Sequence, residues 1–139
     1  MTNKFLLALI ALLTVLLLAG CGAKPEIVYV SGEESEKVAA TVEPIAKNTL
    51  AGIETNNYDL FASNFDEAMR KAITTDAFSN IVEQFGKNGA HQSIELLNIE
   101  DQVIHYGVNF SVNYAEAKTI MRVIVSKDTP NLVSGLWFK

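Results

Sequence analysis

Three hydrophobic patterns follow one another along this chain of 139 residues. The first is a run from Phe5 to Leu18, apolar at every position except Thr14. The second has the period of a helix. Val38, Val42, Ile45, Ala46, Thr49, Leu50 and Ile53 recur at three- and four-residue steps, which predicts one apolar face on a helix from about Ser35 to Thr55. Pro44 predicts either a kink there or a later start near Thr41. Asn56-Asn57 ends this helix and can cap the next element, a short helix or turn from Tyr58 to Phe65. Asn64 with Glu67 has the spacing of a capping box and predicts a helical run from Phe65 to Ile73. Thr74-Thr75-Asp76 opens another helix, with Phe78, Ile81, Val82 and Phe85 on one face and a stop at Gly86-Lys87-Asn88-Gly89.

The third pattern has period two. Ser93 to Ile99 reads as a strand and Glu100-Asp101 as a turn. From Val103 to Tyr114 the apolar Ile104, Tyr106, Val108, Phe110, Val112 and Tyr114 alternate with polar or small residues, as in an antiparallel strand packed on one side. In the next strand, Ala117 to Ser126, Thr119, Met121, Val123 and Val125 lie opposite Lys118, Ile120, Arg122 and Ile124. A turn at 127–131 leads to a last strand, Leu132 to Phe138. Helices first and an antiparallel meander of about four strands afterwards predict an α+β domain over residues 37–139. Residues 21–36 read as a flexible tether of roughly 50 Å reach at full extension, with Ile27 to Val30 as loop or short added strand.

The leading run ends in Leu18-Ala19-Gly20-Cys21, which holds the only cysteine. With Lys4 before it, the segment has the charge, apolar core and small-residue cut site of a secretory signal. The run spans roughly 21 Å as a helix, short of the roughly 30 Å hydrocarbon core that a permanent span must cross. Leu18 to Cys21 resembles the lipobox of bacterial lipoproteins. The resemblance implies cleavage between Gly20 and Cys21 after a signal peptide of residues 1–20, and acyl chains on Cys21. Two or more acyl chains hold a protein stably on a membrane, where one does not. The expected location is extracytoplasmic and lipid-anchored. In a host with an outer membrane it is that membrane, since Gly22 stands where an aspartate would signal inner-membrane retention. The rivals are an ordinary secreted protein and an uncleaved anchor.

Composition narrows the partners. The net charge of −5 becomes one unit more negative once Lys4 is removed, which argues against nucleic acid and against a polybasic hold on anionic lipid. With one cysteine there is no intrachain disulfide, so the domain must rest on its core.

Several segments carry a second resemblance. They are Asn57-Tyr58-Asp59, the run Phe65-Asp66-Glu67-Ala68-Met69-Arg70-Lys71-Ala72, and the closing Ser134-Gly135-Leu136-Trp137-Phe138. In this order they resemble the NTF2-like (nuclear transport factor 2-like) superfamily, and within it the DUF3887 group, over roughly residues 42–138. The resemblance implies a cone, with a curved sheet wrapped over a long helix and a cavity at the open end. Such cavities serve as enzyme sites or ligand sites, or are filled while the sheet makes protein contacts, so the fold does not choose.

The residues weigh against catalysis. Tyr106, Val108, Phe110, Met121 and Val123 are the expected cavity lining, and none is a carboxylate or histidine. A ketosteroid-isomerase-like or cyclase-like enzyme needs an acid or base there. Tyr106 as a hydrogen-bond donor to an oxyanion is what remains for that alternative. Asp66 and Glu67 suit a helix start, where acids cap and favour the dipole. His91 and His105 lack metal-ligand spacing, so neither a metal nor another cofactor is expected. Trp137 is either a core residue of the last strand or a surface platform for stacking. The expectation is an envelope lipoprotein with a non-enzymatic binding domain. Its partners would be the membrane through the lipid, a second copy or another envelope protein, and a small apolar ligand.

Overall fold

The computed structural model describes residues 26–139. Cys21, Gly20 and the signal segment lie outside the described residues. The chain enters through β1 (Val28–Tyr29), continues through four helices and closes with four strands. The helices are α1 (Gly32–Glu54), α2 (Tyr58–Phe61), α3 (Glu67–Ala72) and α4 (Thr75–Gly86). The strands are β2 (Ser93–Gln102), β3 (His105–Asn113), β4 (Lys118–Ser126) and β5 (Val133–Phe138). The sheet is open and antiparallel in the order β1-β2-β3-β4-β5, which makes the domain α+β.

Five strands replace the four expected, because β1 adds to the edge of β2. Val28 lies opposite Asp101 and Tyr29 opposite Glu100. Part of the expected tether is therefore structured: Val28–Tyr29 pair with β2, and α1 begins at Gly32. Gly32, with φ +64°, turns the chain from β1 into α1, three residues before the expected start. Its first turn carries Glu33 and Glu34, whose charges suit the positive end of the helix dipole. Pro44 lies inside one continuous helix, so the later start near Thr41 does not occur.

All seven residues of the expected helical face are buried. All but Thr49, whose hydroxyl donates to the Ile45 carbonyl, join Tyr106, Val108, Phe110, Val112, Met121, Val123 and Val125 of β3 and β4 in one core. The side of the sheet toward α1 is its inner face, and the other is its outer face. Gly52 lets α1 and α2 approach closely, because a Cβ there would lie 2.4 Å from the backbone nitrogen of Phe61. Phe61 is the centre of an aromatic group, with ring centroids 5.0 Å from Phe65 and 4.7 Å from Phe78.

Two local expectations are corrected. Asn64 does not cap α3. Asp66 does, accepting from the Met69 N–H at 2.7 Å. Asn64 instead faces the start of β5: its carbonyl accepts from the Val133 N–H and its side chain donates to the Asn131 carbonyl. The β2–β3 turn also moves. Glu100 and Asp101 stay in β2, and Val103 and Ile104 form the turn. Ile104 therefore leaves the apolar strand face and is 66% exposed. The alternation of β3 is correct from Tyr106 onward.

Candidate functional site

The expected cavity lining is core. Val108, Phe110, Met121 and Val123 are fully buried, and Tyr106 nearly so. The Tyr106 hydroxyl is already used, donating to Glu34 Oε1 at 2.5 Å. That bond, assisted by burial, pushes its pKa up to about 12. The partner, Glu34 on α1, lay in what the sequence suggested was tether. A phenol held this way is a poor donor to a substrate oxyanion.

The outer face is built differently. Cross-strand neighbours share a face in an antiparallel sheet. Asn98, Asn109, Arg122 and Trp137 therefore line up across β2 to β5, and Tyr29, Glu100, Gly107, Ile124 and Gly135 form the adjacent row. Arg122 bridges the rows. Its Nη2 donates to Glu100 Oε2 at 2.6 Å and its Nη1 to Glu100 Oε1 at 2.7 Å, a bidentate pair. Asn109 supports it by donating to Glu100 Oε1 at 3.0 Å and to Asn98 Oδ1 at 2.7 Å. The Arg122 hydrogen bonds hold the Glu100 carboxyl below the usual carboxylate range, and Glu100 raises the Arg122 guanidinium in return. Both charges cancel within the cluster, and neither is poised to move a proton near neutral pH.

Two glycines make room for this layer. A Cβ at Gly107 would lie 2.8 Å from Arg122 Nη2, so the guanidinium crosses the strand over bare backbone. A Cβ at Gly135 would lie 2.5 Å from the Trp137 indole, which folds back over that glycine beside Ile124. Trp137 remains 53% exposed. It thus takes the surface position among the two readings the sequence left open. Gln102, Arg122, Ile124, Trp137 and Lys139 border a shallow depression of about 340 Å³. On the other side of β5, Ile81, Phe85, Leu136 and Trp137 border a second one of about 240 Å³. Trp137 is shared by both, on an edge strand.

The remaining candidates have structural roles. Asp66 caps α3, and Glu67 pairs with Lys71 on the surface. His91 is tied to Glu54, with Nδ1 and Oε1 2.6 Å apart. Asn57 caps α2, and the Tyr58 hydroxyl donates to the Ile73 carbonyl at 2.7 Å. Arg70 donates to the Phe65 and Ser63 carbonyls. The short motifs Asn57-Tyr58-Asp59 and Phe65 to Ala72 are thus joints of the fold. Among the described residues, no group of three or more His, Cys, Asp or Glu is placed to hold a metal ion, and no helix is long and apolar enough to cross a membrane. No protein-family model, curated protein or solved structure matches the chain. Glu100 is hidden in the sequence, because Glu100-Asp101 has the composition of a turn while the residue lies in β2. Arg122 was placed on the correct face, but without its partner.

Proposed function

We propose that this chain is an envelope lipoprotein, held outside the cytoplasm by acyl chains on Cys21, whose domain acts by binding rather than by catalysis. The observation that carries the reading is Leu18-Ala19-Gly20-Cys21 at the end of a run too short to span a bilayer. The domain is read as an NTF2-like cone of the DUF3887 kind, in the variety whose interior is filled. Support for that comes from a long first helix packed on an antiparallel sheet, with Val108, Phe110, Met121 and Val123 inside the core.

Recognition then belongs to the outer face. An exposed tryptophan beside an internally neutralised ion pair, on an edge strand, suits contact with a protein. Tryptophan and arginine are enriched where interfaces carry their energy, and an edge strand invites pairing. The occupant we favour is a second copy of this chain, meeting it around Trp137.

The location is tested by intact mass and membrane fractionation of the native protein beside Cys21→Ser. The reading predicts a mass matching residues 21–139 plus acyl chains, recovered with membranes, and loss of both in the variant. A native chain that is soluble, unlipidated and indistinguishable from the variant would refute it.

A further inference from the structure

The β2–β3 turn breaks the usual chemistry of such turns. A tight hairpin needs positive φ and draws Gly, Asn or Asp. Here the residue with φ +62° is Val103, a β-branched side chain for which that region is a genuine outlier. The Gln102 carbonyl accepts from the Ile104 N–H at 2.7 Å, which together with that φ describes a strained γ-turn. Val103 is 86% exposed and Ile104 66% exposed, so packing inside the domain does not account for them. Backbone strain that no contact explains is a pointer to function.

The turn is also well braced. The Val103 N–H donates to Asp101 Oδ1 at 3.1 Å, and Asp101 accepts from Lys127 Nζ at 2.6 Å. The Lys127 N–H donates to the Ile104 carbonyl at 3.0 Å. These backbone polar groups are satisfied within the protein, while two apolar side chains project. That is the arrangement an apolar medium tolerates.

The start of the described chain lies beside it. Val28 is opposite Asp101, two residues before Val103, so Ile27 enters the sheet at this end of β2. Ile27, like Val28, is more than half exposed. Val28 being fixed in the sheet, six residue steps separate Cys21 from Ile27. Fully extended, they span about 20 Å, not the roughly 50 Å that a tether through Glu36 would allow. The strands carry the opposite end of the sheet, around Glu116, about 30 Å away at about 3.3 Å per residue.

We infer that Val103, Ile104 and Ile27 form an apolar foot that seats this end of the domain on the lipid surface beside its anchor. The inference rests on the lipid anchor proposed above. It fixes an orientation: the hairpin tip meets the bilayer, and the 114–117 loop points away from it. The contact is apolar rather than electrostatic. Besides the Asp101–Lys127 pair, the segments at this end hold Glu26, Glu33, Glu34, Glu36 and Asp128 against Lys37, and the link to Cys21 adds only Lys24, so acids outnumber bases. Anionic lipid therefore weakens the seating at low salt, the reverse of a polybasic anchor.

The test uses the full lipidated chain, whose Cys21 thiol is acylated, so an introduced cysteine is the one free thiol. Val103→Cys, Ile104→Cys and the remote Glu116→Cys are each labelled with a small fluorophore. Each is reconstituted into phosphatidylcholine vesicles containing nitroxide-labelled lipid, with and without phosphatidylglycerol. Severalfold stronger quenching at 103 and 104 than at 116, reduced by phosphatidylglycerol at low salt, is expected. Equal quenching at all three positions, or none at any, in a chain whose mass shows the lipid would overturn the foot and leave the anchor standing. Tip labels shielded from aqueous iodide but not quenched by the lipid nitroxide would also overturn it, in favour of a protein cover. A chain without lipid that stays off the vesicles would remove both readings together.

Discussion

The two faces of one sheet solve opposite problems with the same strands. On the inner face, Val108, Phe110, Met121 and Val123 meet α1 and lose all contact with water. On the outer face, a layer of long side chains lies flat over small ones: Arg122 over Gly107 and Trp137 over Gly135. That layer is held by charge-assisted hydrogen bonds and stays partly wet. The inner face gives the domain its stability, at about 25 cal/mol per Å² of apolar area buried. The outer face contributes less stability and leaves Trp137 about half exposed. A pocket for chemistry would have needed free polar groups on the inner face; there the Tyr106 hydroxyl is held by Glu34, and Val108, Phe110, Met121 and Val123 offer none.

The comparison is broken most directly from the inside. Phe110→Ala should cost about 4 kcal/mol, the range of a large side chain removed from a packed core. Chemical denaturation measures it. A cost below about 1 kcal/mol would mean that the inner face is not packed as described.

Next comes the outer pair. Arg122→Ala leaves Glu100 without its partner and should cost about 2 kcal/mol. This is less than the roughly 3–5 kcal/mol of a fully buried pair, because both side chains keep some solvent. The pH dependence has a definite sign. The carboxyl of Glu100 has a depressed pKa in the folded state. Its contribution is therefore present above the unfolded carboxylate pKa and lost as pH falls through the lower folded value. Glu100→Gln should flatten that acid limb in a plot of melting temperature against pH. An unchanged limb would mean the pair is not formed in solution.

Two smaller effects sharpen the contrast. Val103→Asn places a residue that tolerates positive φ at the strained turn. It should stabilise the domain by about 1 kcal/mol, read as a rise of a few degrees in melting temperature. Trp137→Ala should change stability by less than about 0.5 kcal/mol, as an exposed position does, while abolishing association. A large stability loss there would return Trp137 to the core.

Much of this was legible in the sequence. The α1 face, the caps at Asn57 and Thr74, and the alternation of β3 and β4 follow from periodicities that local geometry enforces. The errors arose where a distant contact outweighed local preference. Glu100-Asp101 has turn composition, but Arg122 and Lys127 hold both residues in β2. Val103-Ile104 has strand composition and yet forms the turn. Ile27 to Tyr29 is too short to show a period, and its pairing partner lies some 70 residues on. Asn64 matches a capping box, but Phe65 is drawn into a bridge with Val133, so the cap passes to Asp66. The outer site was hardest to see, because it depends on register across four strands and on two glycines whose role is to leave space.

The claim that the domain works through its outer face is tested most directly by the oligomeric state of the chain from Gly22 onward, measured by sedimentation velocity beside its Trp137→Ala variant. The account predicts reversible association of the native domain that rises with concentration, and a monomeric variant with an unchanged melting temperature. A native domain that stays monomeric at every concentration, or a variant that associates as readily, would contradict it.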